Sequence, residues 1–131
     1  MRLLLDTNVF LEVVFKQPQV AAARAVLDHA HHDLFISDFS LRSVGVVMFR
    51  RGRADRWPKF LNRVIFSGHV KELVLPDHKL ADLTDIARRF ALDFDDSYQY
   101  VLAEHHNLTL VSLDHDFDRT PRGRLHPQAV P

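Results

Sequence analysis

The sequence predicts an α/β fold in which helices cover both faces of a mostly parallel β-sheet. Short apolar segments of strand character alternate with longer segments whose apolar residues recur at helical spacing. This alternation is typical of β-α-β units, because parallel strands need a crossover connection between them. Apolar segments near both ends of the chain also stop at aspartate. In a parallel sheet such positions share the carboxyl edge, where ligands bind.

Four apolar segments are predicted as strands. The first contains the run Leu3-Leu4-Leu5 and ends on Asp6, and the last contains β-branched residues, which favour strands. The third alternates apolar and charged residues, which is the pattern of a strand with one solvated face. The predicted strands are Arg2–Asp6, Leu34–Ser37, Val70–Leu75 and Leu108–Ser112.

Six segments are predicted as helices, because their apolar residues recur at spacings of three and four. Ser37 or Asp38 can cap the third helix, and Gly52 ends it. Pro58 is acceptable only in the first turn of the fourth helix. The predicted helices are Asn8–Phe15, Gln19–His31, Asp38 to about Arg51, Asp55–Phe66, Pro76 to about Phe90, and Asp95–His106.

The length of 131 residues suits one domain, which we expect to span residues 1–131 with a loop-like tail from about residue 119. The chain contains no cysteine, which excludes a disulfide framework and a thiolate metal site and fits a reducing compartment. No apolar run approaches the ~18 residues of a membrane span, so no membrane association is expected. These features together predict a cytoplasmic protein.

The net charge is zero, but basic and acidic residues are segregated along the chain. Between Arg42 and Lys71 there are eight basic residues and one acid, whereas between Asp77 and Asp118 there are ten acids and three bases. A basic region beside an acidic one suggests an anionic polymer held near a metal ion, with an ordinary solvated helix face as the alternative. The candidate polymer-binding residues are Arg42, Arg50, Arg51, Arg53 and Arg56.

Aspartates mark the ends of three predicted elements. Asp6 ends the first strand, Asp96 begins the last long helix, and Asp114 and Asp116 follow the last strand. Carboxylates gathered at one edge repel each other, by roughly 4 kcal/mol per pair at ~4 Å for an effective dielectric of about 20. A shared cation would offset this repulsion, and an all-oxygen site suits Mg²⁺ or Mn²⁺.

These aspartates also have a simpler explanation as helix caps. Asp is a favoured N-cap, and both Asp6 and Asp96 stand where a helix begins. Near Asp96 the surplus argues against capping alone, because one cap needs one carboxylate and Asp93 and Asp95 stand beside it. Further polar side chains that could position the carboxylates or bound water are those of Asn8 and Ser112.

Several other classes of site are disfavoured. The adjacent pairs His31-His32 and His105-His106 point to different helix faces, so the nine histidines do not indicate a zinc site. The chain has four glycines and no P-loop, dinucleotide-binding or nucleophile-elbow motif. A phosphatase of the haloacid-dehalogenase type needs an acid two residues after Asp6, where this chain has Asn8.

The ordered set of motifs resembles a PIN-domain ribonuclease, of the kind found as the toxin of VapBC-type toxin–antitoxin pairs. The resemblance spans nearly the whole chain, and it implies a three-layer α/β/α sandwich with a mostly parallel central sheet. It also implies Mg²⁺- or Mn²⁺-dependent cleavage of RNA, a homodimer, and a small antitoxin protein as partner. The matching pieces are Leu4-Leu5-Asp6-Thr7-Asn8-Val9-Phe10, Ile36-Ser37, Asp96 at a helix start, and Leu110-Val111-Ser112-Leu113-Asp114-His115-Asp116-Phe117.

One position departs from the family pattern. PIN domains usually carry a glutamate six residues beyond the small polar residue that opens the helix after the second strand. Counting from Ser37, that position is Ser43, and no glutamate lies between Asp33 and Glu72. Asp38, or a water held by Ser43, would have to fill this gap.

The resemblance implies that Asp6, Asp96 and Asp114 bind the metal and that, with Asp116, they form the catalytic set. Ser112 and Asp116 would orient waters during hydrolysis of an RNA phosphodiester. The alternative is a non-catalytic PIN-like module that binds RNA or a protein after losing the glutamate. Metal binding discriminates between the two hypotheses.

Overall fold

A four-stranded sheet forms the centre of the structure, a computed structural model that describes residues 1–131. In chain order the strands are β1 (Arg2–Leu5), β2 (Asp33–Ser37), β3 (Val70–Leu73) and β4 (Thr109–Val111). Across the sheet the order is β3-β2-β1-β4, and every neighbouring pair is parallel. The predicted parallel sheet is confirmed, and each strand lies within one residue of its predicted bounds except β3, which ends at Leu73, two residues before the predicted Leu75.

Helices cover both faces of the sheet, which confirms the three-layer α/β/α sandwich. The fourth helix continues directly into a π-helical segment, Leu61–Phe66. None of the helices is both long and apolar enough to cross a bilayer. The helices are α1 (Thr7–Val14), α2 (Val20–Leu27), α3 (Asp38–Arg50), α4 (Trp57–Phe60), α5 (Leu83–Phe90) and α6 (Phe94–His106).

Two helices are shorter than the sequence predicts. The prediction that the second helix reaches His31 is wrong, because α2 ends at Leu27. Four of the next five residues, Asp28, His29, His31 and His32, are weak helix formers, and the rings of His29 and His32 stack with centroids 4.0 Å apart where the chain turns toward β2. The helix predicted from Pro76 begins as a 3₁₀ segment and becomes α-helical only in α5.

Alternation along β1 divides the hydrophobic core between the two faces of the sheet. Leu3 and Leu5 pack with residues of α1, α2 and α3, whereas Leu4 packs with residues of α5 and α6. Successive side chains of a strand point to opposite faces. The run of three leucines is therefore what a strand buried on both faces requires.

Helix N-termini gather at the carboxyl edge of the sheet. Asp6 caps α1 by accepting a hydrogen bond from the Thr7 backbone N at 2.8 Å, and Ser37 caps α3 by accepting one from the Ser40 backbone N at 2.9 Å. Asp93 caps α6 in the same way. The partial positive charge of these helix ends therefore lies at the edge where the aspartates collect.

After β4 the chain forms short turns, with no long helix or strand. A 3₁₀ helix, His115–Arg119, follows β4. Leu125 then makes a single parallel bridge to Val111, and a last 3₁₀ turn spans Pro127–Ala129. The 3₁₀ helix immediately after β4 keeps the aspartates that follow this strand close to the carboxyl edge.

Leu4→Ala should lower the free energy of unfolding by about 2–5 kcal/mol, because it leaves a cavity where a fully buried side chain packed in a central strand. Leu80→Ala makes the same chemical change at a residue that is 41% exposed, and should cost less than about 1 kcal/mol. Urea unfolding followed by circular dichroism measures both. Equal losses in the two variants would contradict the placement of Leu4 in the core.

Candidate functional site

Asp6, at the end of β1, is the centre of a hydrogen-bond network. Its Oδ1 accepts hydrogen bonds from the Thr7 backbone N at 2.8 Å and from Gln99 Nε2 at 3.2 Å. Its Oδ2 accepts from Ser112 Oγ at 2.7 Å and from Asn8 Nδ2 at 3.3 Å. Burial raises the pKa of Asp6, and the hydrogen bonds from Ser112, Thr7 and Gln99 oppose that rise. Each oxygen of this carboxylate therefore already has two donors.

Asp96, in the first turn of α6, lacks such support. Its side chain is buried, and its Oδ2 has no hydrogen-bond partner. Burial raises the pKa of Asp96 to about 8, and the negative charges of Asp114, Asp93 and Asp6 contribute to the same rise. An unpartnered carboxylate oxygen is costly to bury. A cation beside Asp96 would remove that cost.

Asp114 and Asp116 form a compact group with Asp96, called here the carboxylate triad. One oxygen from each of the three side chains lies within 4.8 Å of the other two. Asp114 accepts a hydrogen bond from the Asp116 backbone N at 2.8 Å, and Arg119 Nη1 donates to Asp116 Oδ1 at 3.0 Å. The Asp114 backbone N donates to Ser112 Oγ at 2.9 Å, which joins the triad to the network around Asp6.

The carboxylate triad fits a divalent cation. Its donors are all carboxylate oxygens, which suits Mg²⁺ or Mn²⁺, and the free Oδ2 of Asp96 has no competing partner. The sequence analysis expected Asp6, Asp96 and Asp114 to hold the ion. The structure instead groups Asp116 with Asp96 and Asp114, while Asp6 lies beside them with four hydrogen bonds.

Asn8 connects the ends of β1 and β4. Its Nδ2 donates to Ser112 Oγ at 3.2 Å as well as to Asp6, and its Oδ1 accepts a hydrogen bond from the Leu113 backbone N at 3.2 Å. Asn8 and Ser112 thus lie where the sequence predicts them, between the two acidic strand ends. They position the carboxylates through hydrogen bonds.

Neither residue considered as a replacement for the missing glutamate joins the carboxylate triad. Asp38 Oδ1 accepts a hydrogen bond from the Tyr98 hydroxyl at 2.5 Å. Burial raises the pKa of Tyr98 to about 12, and its hydrogen bond to Asp38 adds to that rise. Ser43 is half-buried farther along α3. The α3 side of the site therefore contributes no carboxylate to the triad.

Three polar side chains that the sequence analysis missed connect α1, α3 and α6. Ser40 Oγ accepts hydrogen bonds from Thr7 Oγ1 and from Gln99 Nε2, both at 2.9 Å. Gln99 and Ser40 are almost completely buried. The available signal was an amide inside an otherwise apolar helical segment, Tyr98-Gln99-Tyr100-Val101.

Four of the five predicted polymer-binding arginines lie away from the carboxylate triad. Helix α3 begins at the carboxyl edge and rises about 18 Å to its last residue, at 1.5 Å per residue. Only Arg42 lies near its start, where its Nη1 pairs with Glu72 Oε2 at 3.0 Å. The four toward the opposite edge are Arg50, Arg51, Arg53 and Arg56.

Two of these arginines instead border a cavity of about 450 Å³ between α1, α2 and α4. Its floor is apolar and includes Phe10, Met48 and Phe60. Basic side chains surround that floor. They are Lys16, Arg24, Arg53, Arg56, Lys59 and Arg63, of which Arg53 pairs with Asp55 and Arg63 with Asp28, the two acidic residues of the lining.

Comparison with known proteins identifies related folds. A family model described as PIN domain matches residues 3–123. VapBC2 from Rickettsia felis, bound to a DNA fragment from its promoter, is 19% identical with a TM-score of 0.73, covering 96% of this chain and 98% of that chain. VapC20 from Mycobacterium tuberculosis, described as a sarcin-ricin loop cleaving toxin, is 13% identical with a TM-score of 0.73, covering 98% and 99%.

A toxin–antitoxin complex from Klebsiella pneumoniae is similar to the same degree. It is 19% identical with a TM-score of 0.71, and the alignment covers 97% of this chain and 98% of that chain. No curated protein matches the chain by sequence. At these low sequence identities, the solved structures show only that the fold is shared. The family model matches the sequence itself over most of the chain.

Asp96 should make the metal-free protein less stable as the pH rises. Its pKa is about 8 in the folded state but near 3.8 in the unfolded state, so between these values only the folded state keeps the proton. The stabilisation of the folded state by the proton on Asp96 is fully present below about pH 4. It is lost as the pH rises from about 4 through 8. Asp96→Asn should therefore stabilise the protein at pH 9 by about 1–3 kcal/mol and change little at pH 4.

Urea unfolding in EDTA at both pH values measures this difference. Asp85→Asn is the matched control, because Asp85 is an exposed residue of α5. A gain for Asp96→Asn that is the same at pH 4 and pH 9 would contradict the raised pKa.

Proposed function

We propose that this chain, which belongs to the PIN-domain family, is a metal-dependent endoribonuclease and the toxin of a toxin–antitoxin pair. The observation that carries the proposal is the carboxylate triad, whose oxygens converge within 4.8 Å around an unpartnered, buried oxygen of Asp96. Such an arrangement repels itself without a cation and holds one well.

Asp96, Asp114 and Asp116 would hold the ion, with Asp6 and its hydrogen-bond donors behind them. When bound, a divalent ion supplies a water of lowered pKa and offsets charge on the leaving oxygen of a phosphodiester. Arg119 fixes Asp116, and Ser112 fixes the backbone at Asp114, so two of the three carboxylates are held in place before any ligand arrives. The mechanism proposed is hydrolysis of RNA in the cytoplasm.

The choice of RNA as substrate rests on the family and on the fold. One structural neighbour is described as a toxin that cleaves the sarcin-ricin loop, and two others come from toxin–antitoxin complexes. Arg42 is the predicted RNA-binding residue nearest the carboxyl edge. The other four arginines lie at or beyond the far end of α3. Their position favours contacts with RNA outside the cleavage site.

The cavity between α1, α2 and α4 supports the proposed antitoxin partner. It combines an apolar floor with a basic border, which suits an amphipathic segment with apolar and acidic side chains. A homodimer is also part of the proposal, since exposed apolar residues such as Val46 and Phe49 lie one turn apart on α3.

The second candidate function is a non-catalytic module that binds RNA or a protein. Ser43 stands where the family places a glutamate, and Asp38 is bound by Tyr98. The first leaves one negative charge fewer at this edge, and the second holds Asp38 Oδ1 against Tyr98, outside the carboxylate triad. The two candidates differ in whether the protein binds Mn²⁺ and cleaves RNA.

Asp114→Asn should reduce Mn²⁺-dependent cleavage of a generic RNA at least about 100-fold, because one charge of the carboxylate triad is lost. Asp6→Asn should also abolish cleavage, since an amide NH₂ would face the donors that now surround Asp6. Asp85→Asn is the matched control on exposed α5 and should retain wild-type activity. Product formation on a labelled RNA, with Mn²⁺ and with EDTA, measures these rates.

Unchanged cleavage in Asp114→Asn would overturn the proposed mechanism. A wild-type protein that shows no heat of Mn²⁺ binding and no cleavage, but binds RNA or a protein tightly, would favour the non-catalytic module.

Ser43→Glu should raise the affinity for Mn²⁺ at least about tenfold, because it restores a carboxylate at the family position. Ser43→Gln has the same size without the charge and should not bind Mn²⁺ more tightly than wild type. Isothermal titration calorimetry measures both affinities. A large gain in cleavage by Ser43→Glu from an inactive wild type would identify the native site as a degraded one, whereas equal affinities in the two variants would place residue 43 outside the centre.

A further inference from the structure

Gln99 occupies the space between the three elements that meet at the carboxyl edge. It lies on α6, one turn after Asp96, and is 2% exposed. Its Nε2 donates to Asp6 Oδ1 at 3.2 Å and to Ser40 Oγ at 2.9 Å. One amide group therefore links α6 to the end of β1 and to the first turn of α3.

These two hydrogen bonds fix the orientation of the Gln99 amide. Rotating the amide by half a turn would place its carbonyl oxygen against the carboxylate of Asp6, where two acceptors would repel. In the orientation that the hydrogen bonds require, Oε1 is buried and has no donor. Leaving such an oxygen unsatisfied destabilises the fold.

A second buried acceptor lies one helical turn away. Asp96 Oδ2 also lacks a partner, and side chains three residues apart lie on the same helix face, with Cβ atoms about 5–6 Å apart. Once Asp96 is ionised, as binding of a cation requires, both atoms are acceptors that cannot satisfy each other, so both need a donor or a cation from outside the chain. A hydrated divalent ion supplies both, because its charge suits the carboxylate and its water can donate to an amide oxygen.

The α3 side of the site offers no competing group for this role. Ser43 carries no carboxylate, Asp38 is bound by Tyr98, and Ser40 Oγ is already occupied by Thr7 and Gln99. Gln99 therefore reaches from α6, the helix that carries Asp96, toward α3, and its Oε1 is an acceptor that is still free.

We propose that Gln99 is a positioning residue of the metal centre, an inference that rests on the proposed function. Its Nε2 holds Asp6 and Ser40 in place, and its Oε1 accepts a hydrogen bond from the hydration shell of the ion bound by the carboxylate triad. It thereby takes over, from α6, part of the role that a glutamate on α3 has in the family.

Gln99→Met tests the proposal with a side chain of similar length and no hydrogen-bonding groups. Its dissociation constant for Mn²⁺ should rise about 10–100-fold, as is usual when a group that orients a metal site is lost. Gln99→Glu keeps an acceptor oxygen but loses the Nε2 donor to Asp6; its added negative charge attracts the cation and offsets that loss, so it should bind Mn²⁺ within about threefold of wild type or more tightly. Electron paramagnetic resonance of free Mn²⁺, titrated with folded protein and no RNA, measures these affinities independently of cleavage.

Gln128→Leu removes an exposed amide from the tail and is the control that should leave Mn²⁺ affinity unchanged. Wild-type affinity in Gln99→Met, or a loss of more than tenfold in Gln99→Glu, would overturn the role of Gln99 while the proposed function stands. If Gln99→Met fails to fold, the result for Gln99→Glu alone decides. A wild-type protein that binds no Mn²⁺ would overturn the proposed function, and this inference with it.

Discussion

The mutual repulsion of carboxylates at one edge of the sheet is the constraint on which the site depends. Each aspartate is accommodated differently. Four donors surround Asp6, Arg119 pairs with Asp116, and Asp96 keeps its proton up to a pH of about 8. A further ionised carboxylate at ~4 Å would cost roughly 4 kcal/mol at an effective dielectric of about 20, more than one hydrogen bond returns. Asp96 thus remains the member that only a cation can satisfy fully.

The strand order creates this concentration of charge. Because β1 lies between β2 and β4, the carboxyl ends of three strands meet around Asp6. Ser112 Oγ donates to Asp6 Oδ2 although 106 positions separate the two residues. The same edge receives the N-termini of α1, α3 and α6, whose partial positive charges stabilise nearby carboxylates. Fold and site are therefore consequences of one topology.

The sequence predicted the strands, the order of the helices and the strand-end aspartates, because these features depend on local periodicity and capping. Asp6, Asn8, Ser112 and Asp114 lie together as expected. Gln99 was not predicted, since its role depends on the approach of α6 to α3, and no local pattern marks that approach. The structure places Arg50, Arg51, Arg53 and Arg56 at or beyond the far end of α3, a placement that the sequence did not predict for a related reason. Charge segregation along the sequence does not tell which end of a long helix faces the site.

Ser43, a neutral residue of α3, changes the balance between stability and metal affinity in the proposed centre. One unit charge at ~5 Å interacts with another by about 3 kcal/mol at an effective dielectric of about 20. Ser43 in place of a glutamate removes that repulsion from the metal-free fold, and it removes the same attraction from the bound state. Gln99 returns hydrogen bonds without returning charge. If the carboxylate triad binds a divalent ion as proposed, the centre would fill at a higher ion concentration than one with the glutamate, while its empty form would be easier to keep folded.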